Sequence, residues 1–571
     1  MNSISKWLIG YMLYHGDTEF FSHAFGYRET NSRVFWMRKE MVRLLETAFG
    51  KEHFAHEYIQ SEDVAEGPDC LGSVMKSDFL EDMLTFFFRE SYKDGEHPEF
   101  TARIDEFFRE NRRECLRLLI RNAKTLIRTS GRKAYLAAAD RINRSRIHHY
   151  HSAISRVSSY CRKTGCAVAI GSHNAFQKNY FTPIINGFVD KGVPFLFICE
   201  TPGAQKEAEL IQEDGYLILK IKFPTSRELL SNRRDRTNVK TDFEYLKKKV
   251  QASSLSKNYK VFIIRRLKKQ IIRYHKIRFF IDEFMKRIDV KFAFALPDRF
   301  SFQRAMLMMC KKKKIPTFTY DPFFNISDTV LAWYYFSDWA LLVNRRYVKM
   351  LEENGFSRDR MRQVGSTLAD YHMNNRSGAG RFEGIVNILL VTKLSRRTAL
   401  NNDVIIDEIL STLENLDVDY ALHIKPHPSD NDLYLRYRGK RRRGKVSILD
   451  RTTALRSVVP EMHILLASGI SAAIFECLPS GKPIAALELT STIDKSVFSR
   501  NDIKEVVPLF QNLDDFKLYL TDLVNDVSRN RKRTGRIPES VIDDFYFSLD
   551  GRTKDRIVDF VLSKTSGTQT L

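Results

Sequence analysis

His463-Ile464-Leu465-Leu466-Ala467-Ser468-Gly469-Ile470-Ser471-Ala472-Ala473-Ile474-Phe475-Glu476 changes character at its middle. The run through Ala467 is short, apolar and unbroken, as in a strand buried on both faces. Ser468-Gly469 ends it, and a helical stretch opens at once. A strand buried on both faces needs helices above and below it, and the neighbouring sequence supplies them. Upstream lie a strand over 385–392, a helix over 403–413, a strand over 420–425, a short strand over 446–449 and a helix over 453–458; downstream, a strand over 483–487. This alternation predicts a doubly wound parallel sheet.

The same grammar precedes it. Cys166-Ala167-Val168-Ala169-Ile170 ends in Gly171-Ser172 and leads into a helix over 180–189, then the strand Phe195-Leu196-Phe197-Ile198-Cys199. A second such unit has strands over 291–296 and 315–320 about a helix over 304–310. The expected fold is therefore α/β, with two tandem Rossmann-like domains over 151–365 and 366–545 and a cleft between them. Residues 546–571 read as a C-terminal helix and tail, and about 230–290 as a basic helical insertion. Residues 1–150 carry apolar and aromatic residues at three- and four-residue spacing with few Gly or Pro, which predicts a helical accessory region.

The chain has 571 residues, 43% of them hydrophobic, and 92 Lys and Arg against 70 Asp and Glu, a formal charge of +22. That excludes wholesale disorder and suits several compact units. Seven scattered cysteines do not form a disulfide framework and point to a reducing cytoplasm. The apolar run over 7–14 is shorter than the about 20 residues a bilayer demands, so any membrane contact is expected to be peripheral. Basic clusters at 265–269, 311–314, 440–443 and 531–533 call for an anionic partner or are solvated faces. No zinc-finger or RNP signature accompanies them, so the nucleic-acid reading has only charge behind it and is disfavoured. Within 257–286, Phe262, Ile263, Leu267, Ile271 and Tyr274 can form one apolar side among Arg265, Lys268, Lys269, Arg273 and Lys276. That suits an anionic membrane surface or a helix packed on the domain.

Two constellations carry chemistry. His423-Ile424-Lys425-Pro426-His427-Pro428 sits at the carboxyl end of a strand, where open α/β sheets bind ligands. Two prolines stiffen the backbone, so an ammonium and an imidazole suited to phosphate are presented rigidly; the alternative is a stiff turn with a solvated lysine. At the second, Ser468, Gly469 and Ser471 open a helix whose free N–H groups suit an anion, and Glu476 lies inside that helix within range of a ribose hydroxyl. An ordinary serine cap would look the same. No Gly-x-Gly-x-x-Gly follows a strand, which disfavours a nicotinamide enzyme.

Lys-Pro-His-Pro after a strand, the Ser-rich strand-to-helix turn ending in Phe475-Glu476, and Gly481-Lys482-Pro483-Ile484 resemble the nucleotide-binding half of GT-B glycosyltransferases of the capsule and wall-polymer type: CDP-glycerol glycerophosphotransferases, polysialyltransferases and capsular Kdo transferases. The resemblance implies that Lys425, His427 and Pro428 meet the donor phosphate, that Ser468, Gly469 and Ser471 bind phosphate, and that Glu476 faces the nucleoside. It also implies a CMP- or CDP-activated donor, a glycan or lipid-linked acceptor and a role in bacterial surface polysaccharide synthesis. The chain departs from it at Gly469 and Ala472, and Glu200-Thr201-Pro202-Gly203 stands where His-Gly-Thr-Pro is expected. A base at a strand end of the first domain is then Glu200, Asp321 or His173. Each reads equally as a cap, a loop residue or a partner for nearby cations. Cys161 and Cys166 have no second Cys pair nearby, and no Asp-x-Asp lies at a strand end of the first β/α domain, so the expectation is a metal-independent transferase without a cofactor. A UDP-sugar transferase or UDP-sugar 2-epimerase-like enzyme is the alternative, and a non-catalytic anionic-polymer or RNA-binding assembly protein the alternative of another class.

Overall fold

The computed structural model describes residues 166–565, apart from 172–175, 200–216, 221–222, 225, 256, 297–300, 323–336, 354–355, 375–383, 393–394, 428–433, 451–452, 470, 488, 490–502, 504–505 and 532–536. The helical region expected over 1–150 lies outside the described residues. Among them the chain runs β1 (Cys166–Gly171), α1 (Phe176–Asp190), β2 (Phe195–Cys199), β3 (Leu217–Lys220), α2 (Ser226–Ser231), α3 (Arg233–Ala252), α4 (Lys257–Met285), β4 (Val290–Ala295), α5 (Ser301–Lys312), β5 (Thr317–Asp321), β6 (Trp339–Leu342), α6 (Arg345–Glu353) and β7 (Met361–Gln363). A linker helix α7 (Thr367–Asn374) leads to β8 (Ile385–Thr392), α8 (Ser395–Glu414), β9 (Asp419–Lys425), β10 (Gly439–Lys440), β11 (Gly444–Ile448), α9 (Leu455–Val458), β12 (Ile464–Ser468), α10 (Ala472–Cys477), β13 (Ile484–Leu487) and β14 (Leu509–Phe510). Helices α11 (Leu513–Ser528), α12 (Glu539–Phe545) and α13 (Thr553–Thr565) close the fold.

The described strands make two seven-stranded sheets, ordered β3-β2-β1-β4-β5-β6-β7 and β10-β11-β9-β8-β12-β13-β14. All pairs are parallel except the β10–β11 hairpin. With β10 set aside, the second sheet has the doubly wound order 3-2-1-4-5-6, and the first has the same order with β7 added at its edge. Two such sheets in tandem are the GT-B-like arrangement expected from the sequence. The apolar runs owe their continuity to burial on both faces. On β8, Val386, Ile388 and Leu390 pack with Ile406 and Ile409 of α8, whereas Leu389 joins the opposite cluster with Leu465 and Phe475.

Strands β3, β6, β7, β10 and β14 were not anticipated. They are two to four residues long, too short to show a period. The basic insertion between β3 and β4 is built by α2, α3 and α4. Here the membrane expectation is corrected: Ile263, Leu267 and Ile271 are fully buried and Tyr274 nearly so, within the protein's own core. The ring of Phe280, on the same helix, lies 5.8 Å from that of Phe302 in α5. His275 of α4 meets Asp242 of α3 at 2.8 Å, so even the polar part of this face is spent inside the hairpin. Four of the five stripe residues are consumed by packing and are not available to a bilayer, and Phe262 alone stays half-buried.

The end of the chain returns to the first sheet. Helix α13 packs on α1, and Phe560 meets Phe318 and Trp339 edge-on. Its start pins α7 and the linker before it: Arg556 Nε donates to Val364 O at 2.7 Å and Thr553 N to Asp370 Oδ2 at 2.6 Å, while Tyr320 OH of β5 donates to Gly365 O at 3.2 Å. Gly365 has φ +97°, and a Cβ there would lie 2.6 Å from Thr553 Oγ1. Only glycine fits both the backbone angle and the space.

Candidate functional site

The second sheet reverses its strand order between β8 and β12, and the ligand crevice of such a sheet opens at those carboxyl ends. The register sets Ser468 of β12 beside Thr392 of β8 and Lys425 of β9 beside Val391. Lys425 is 5% exposed, its Nζ donates to Pro426 O at 2.9 Å, and its own carbonyl accepts from Thr392 Oγ1 at 3.5 Å. A buried ammonium is costly unless anionic or dipolar groups surround it. His427, two residues on, is partly exposed. Pro428 lies outside the described residues.

Ser468 is 3% exposed, and its hydroxyl donates to Asn402 Oδ1 at 2.5 Å. Asn402 Nδ2 in turn donates to Tyr434 OH at 2.7 Å. In this arrangement the Ser468 hydroxyl ties β12 to α8 and forms the floor of the crevice. Gly469, with φ +105°, makes the turn. Ser471 precedes α10 in an extended conformation, and its side chain makes no capping bond, so the hydroxyl is not spent as an ordinary cap.

Glu476 lies on α10. Burial pushes its carboxyl up to about 7, against the pull of Lys425 and Arg456. These charges therefore act on one another across three elements: the end of β9, helix α9 and helix α10. The Arg456 guanidinium also lies 5.7 Å from the Tyr371 ring centroid, which brings the linker helix α7 to the same place. Two cations around one carboxyl that is half protonated near neutrality leave net positive charge, which suits a phosphate-bearing ligand. The carboxyl can also hold or release a proton near pH 7.

The structure thus brings Lys425, Glu476 and Arg456 into electrostatic contact and sets Ser468 in the floor beside them. Sequence reasoning missed Thr392, Asn402, Tyr434 and Arg456. Their signal is weak, because each is a lone polar residue whose partner lies 20 or more positions away in the chain. Of the three base candidates, His173 and Glu200 lie outside the described residues, just past the ends of β1 and β2. Asp321 ends β5, is fully buried and accepts the Tyr347 hydroxyl at 2.7 Å, a structural tie between β5 and α6 that closes it to an acceptor in this state. Among the described residues no group of three or more His, Cys, Asp or Glu is arranged to hold a metal ion, and no helix is long and apolar enough to cross a membrane.

No protein-family profile matches the chain, and no curated protein matches it. Solved structures do. A UDP-N-acetylglucosamine 2-epimerase from Listeria monocytogenes aligns at 10% identity and a TM-score of 0.46, covering 71% of this chain and 98% of that one. The UDP-GlcNAc 2-epimerase from Neisseria meningitidis, bound to UDP-GlcNAc, aligns at 12% identity and TM-score 0.45, covering 70% and 99%. MurG of Acinetobacter baumannii aligns at 10% identity and TM-score 0.40, covering 70% and 99%. Likeness at this level assigns no activity to the chain, and the fold rests on the strand order of its two sheets.

Proposed function

We propose that the protein is a sugar-nucleotide enzyme that takes an activated donor at the carboxyl ends of β8, β9 and β12 and transfers the activated group to an acceptor. The observation that carries the reading is the convergence of Lys425, Arg456 and Glu476 at the point where the strand order reverses, with the partly exposed His427 beside them. In this reading Lys425 and Arg456 neutralise the donor phosphates and His427 donates to a phosphate oxygen. Ser471 and the backbone after Gly469 add hydrogen bonds, and the leaving phosphate is stabilised by preorganised donors. Glu200 is the proposed base, with His173 its rival, since Asp321 is tied to Tyr347.

The donor is proposed to carry cytidine, and the product to be a bacterial surface polysaccharide, on the resemblance of Lys425-Pro426-His427-Pro428 to capsule and wall-polymer transferases. Calorimetric titration with CMP, CDP, UMP and UDP tests this. Cytidine nucleotides are expected to bind about 1–3 kcal/mol more tightly, the cost of leaving a buried polar group unpaired. A preference for UDP overturns the cytidine reading, and no binding of any of the four overturns the site.

A second reading has one observation in its favour. Glu476, with a carboxyl poised at about 7, is a group an epimerase could use to move a proton on a UDP-sugar. Turnover of a donor with no acceptor present would select it over transfer.

A further inference from the structure

The hairpin β10–β11 is an addition to the doubly wound order, antiparallel on the edge of an otherwise parallel sheet. Its turn carries Lys440, Arg441, Arg442 and Arg443 in succession. The turn is held rigidly. Arg441 N donates to Gly444 O at 2.7 Å and Tyr420 N to Arg443 O at 3.2 Å. Arg443 pairs with Asp417. Gly444 lies so close to Tyr420 that a Cβ would stand 2.6 Å from its carbonyl oxygen and 2.7 Å from its ring. Tyr420 is itself fixed, donating its hydroxyl to Glu414 Oε1 at 2.6 Å.

Between this turn and the last turns of α8 lies a shallow, open groove of about 440 Å³, lined by Leu410, Ser411, Glu414, Lys440, Arg441 and Arg442. Lys440, Arg441 and Arg442 are exposed, and none of the three forms an ion pair with a carboxylate of the described residues, while Arg441 Nη2 donates to Tyr437 O at 3.5 Å. The one acid in the lining already accepts the Tyr420 hydroxyl. Three closely spaced cations on one stiff turn repel each other, and a ligand with several closely spaced negative charges relieves that repulsion. Arg forks suit phosphate oxygens, and the volume lies in the range of small-molecule sites.

The site is separate from the proposed donor crevice. Gly444 pairs with Tyr420, near the start of β9, whereas Lys425 is the last residue of that strand. At about 3.3 Å per residue the two lie roughly 16 Å apart along the strand, on opposite ends of the sheet. We infer that this groove is a second anion site, which binds the oligophosphate portion of a ligand at the base of the second sheet.

Hydrogen exchange read by mass spectrometry on the full chain tests it locally. With tripolyphosphate added, amides over 438–446 are expected to gain protection, and R441A/R442A should lose that protection while weakening binding there about tenfold or more. Protection over 424–427 and 464–476 reports the upper crevice and should be unaffected by the double substitution. A parallel arm uses vesicles of phosphatidylcholine with and without phosphatidylglycerol. Binding to the anionic vesicles that needs Arg441 and Arg442, together with protection by them but not by tripolyphosphate, overturns the oligophosphate reading in favour of a lipid surface. If neither probe protects 438–446 in the wild type, the inference fails. It fails equally if R441A/R442A binds both probes normally but self-associates, since the basic turn would then serve only to keep a sheet edge from pairing.

Discussion

Replacing Glu476 by Gln isolates the electrostatic cost of the crevice. Burial displaces this carboxyl from its ordinary 4.5 to about 7, even with Lys425 and Arg456 pulling the other way. At about 1.4 kcal/mol for each tenfold change in proton affinity, that displacement amounts to about 3 kcal/mol. The sign follows from linkage: the folded state favours the protonated acid, so the contribution is fully present below 4.5 and is lost as pH rises through about 7. Gln mimics the protonated form at every pH. The two proteins should therefore be nearly equal in stability at pH 4.5, with E476Q the more stable by about 3 kcal/mol at pH 8. Burial also holds His372 down to about 4, so acid destabilises the fold as pH falls from 6.5, but equally in both proteins, and the effect cancels in the difference. Denaturant midpoints of wild type and E476Q at pH 4.5, 6, 7 and 8 give the comparison. A difference that does not change with pH, or a variant less stable at pH 8, refutes the assignment of Glu476 as a desolvated carboxyl between two cations. Saturating nucleotide should enlarge the gain in E476Q at pH 8 if the donor phosphate takes up the same positive charge, because it removes the pull of Lys425 and Arg456 on the ionised carboxyl and adds a like charge beside it.

Two further substitutions probe other links. H427A should leave the melting temperature within a degree or two and lower turnover about a hundredfold, the usual cost of one hydrogen-bond donor to developing charge; unchanged kcat/KM removes His427 from the site. G365A should destabilise the protein by about 1–3 kcal/mol, because alanine is strained at φ +97° and its methyl meets Thr553 2.6 Å away. A thermal melt matching wild type would show that the linker relaxes without cost.

The sequence alone determined the repeating α/β grammar, since a strand buried on both faces must be apolar throughout and must end in residues that turn the chain. β2 and β8 were read to the residue, and β12 to within one at each end. The places of Lys425 and His427 after a strand end and of Glu476 inside the following helix were also legible, because each is fixed relative to a strand or helix end. Tertiary structure alone decided the rest. The apolar stripe of α4 has the same periodicity whether it faces lipid or protein, and only the packing of α3 and α5 against it settled the matter. Ser468 carries the same hydroxyl whether it meets a ligand or Asn402, and that bond spans 66 positions in the chain. The proximity of Arg456 to Glu476, the burial that closes Asp321, and the Gly444–Tyr420 contact that stiffens the basic turn all depend on segments brought together by the sheet. Local sequence carries no record of such distances, because they arise from the closing of loops and not from any residue's own conformational preference.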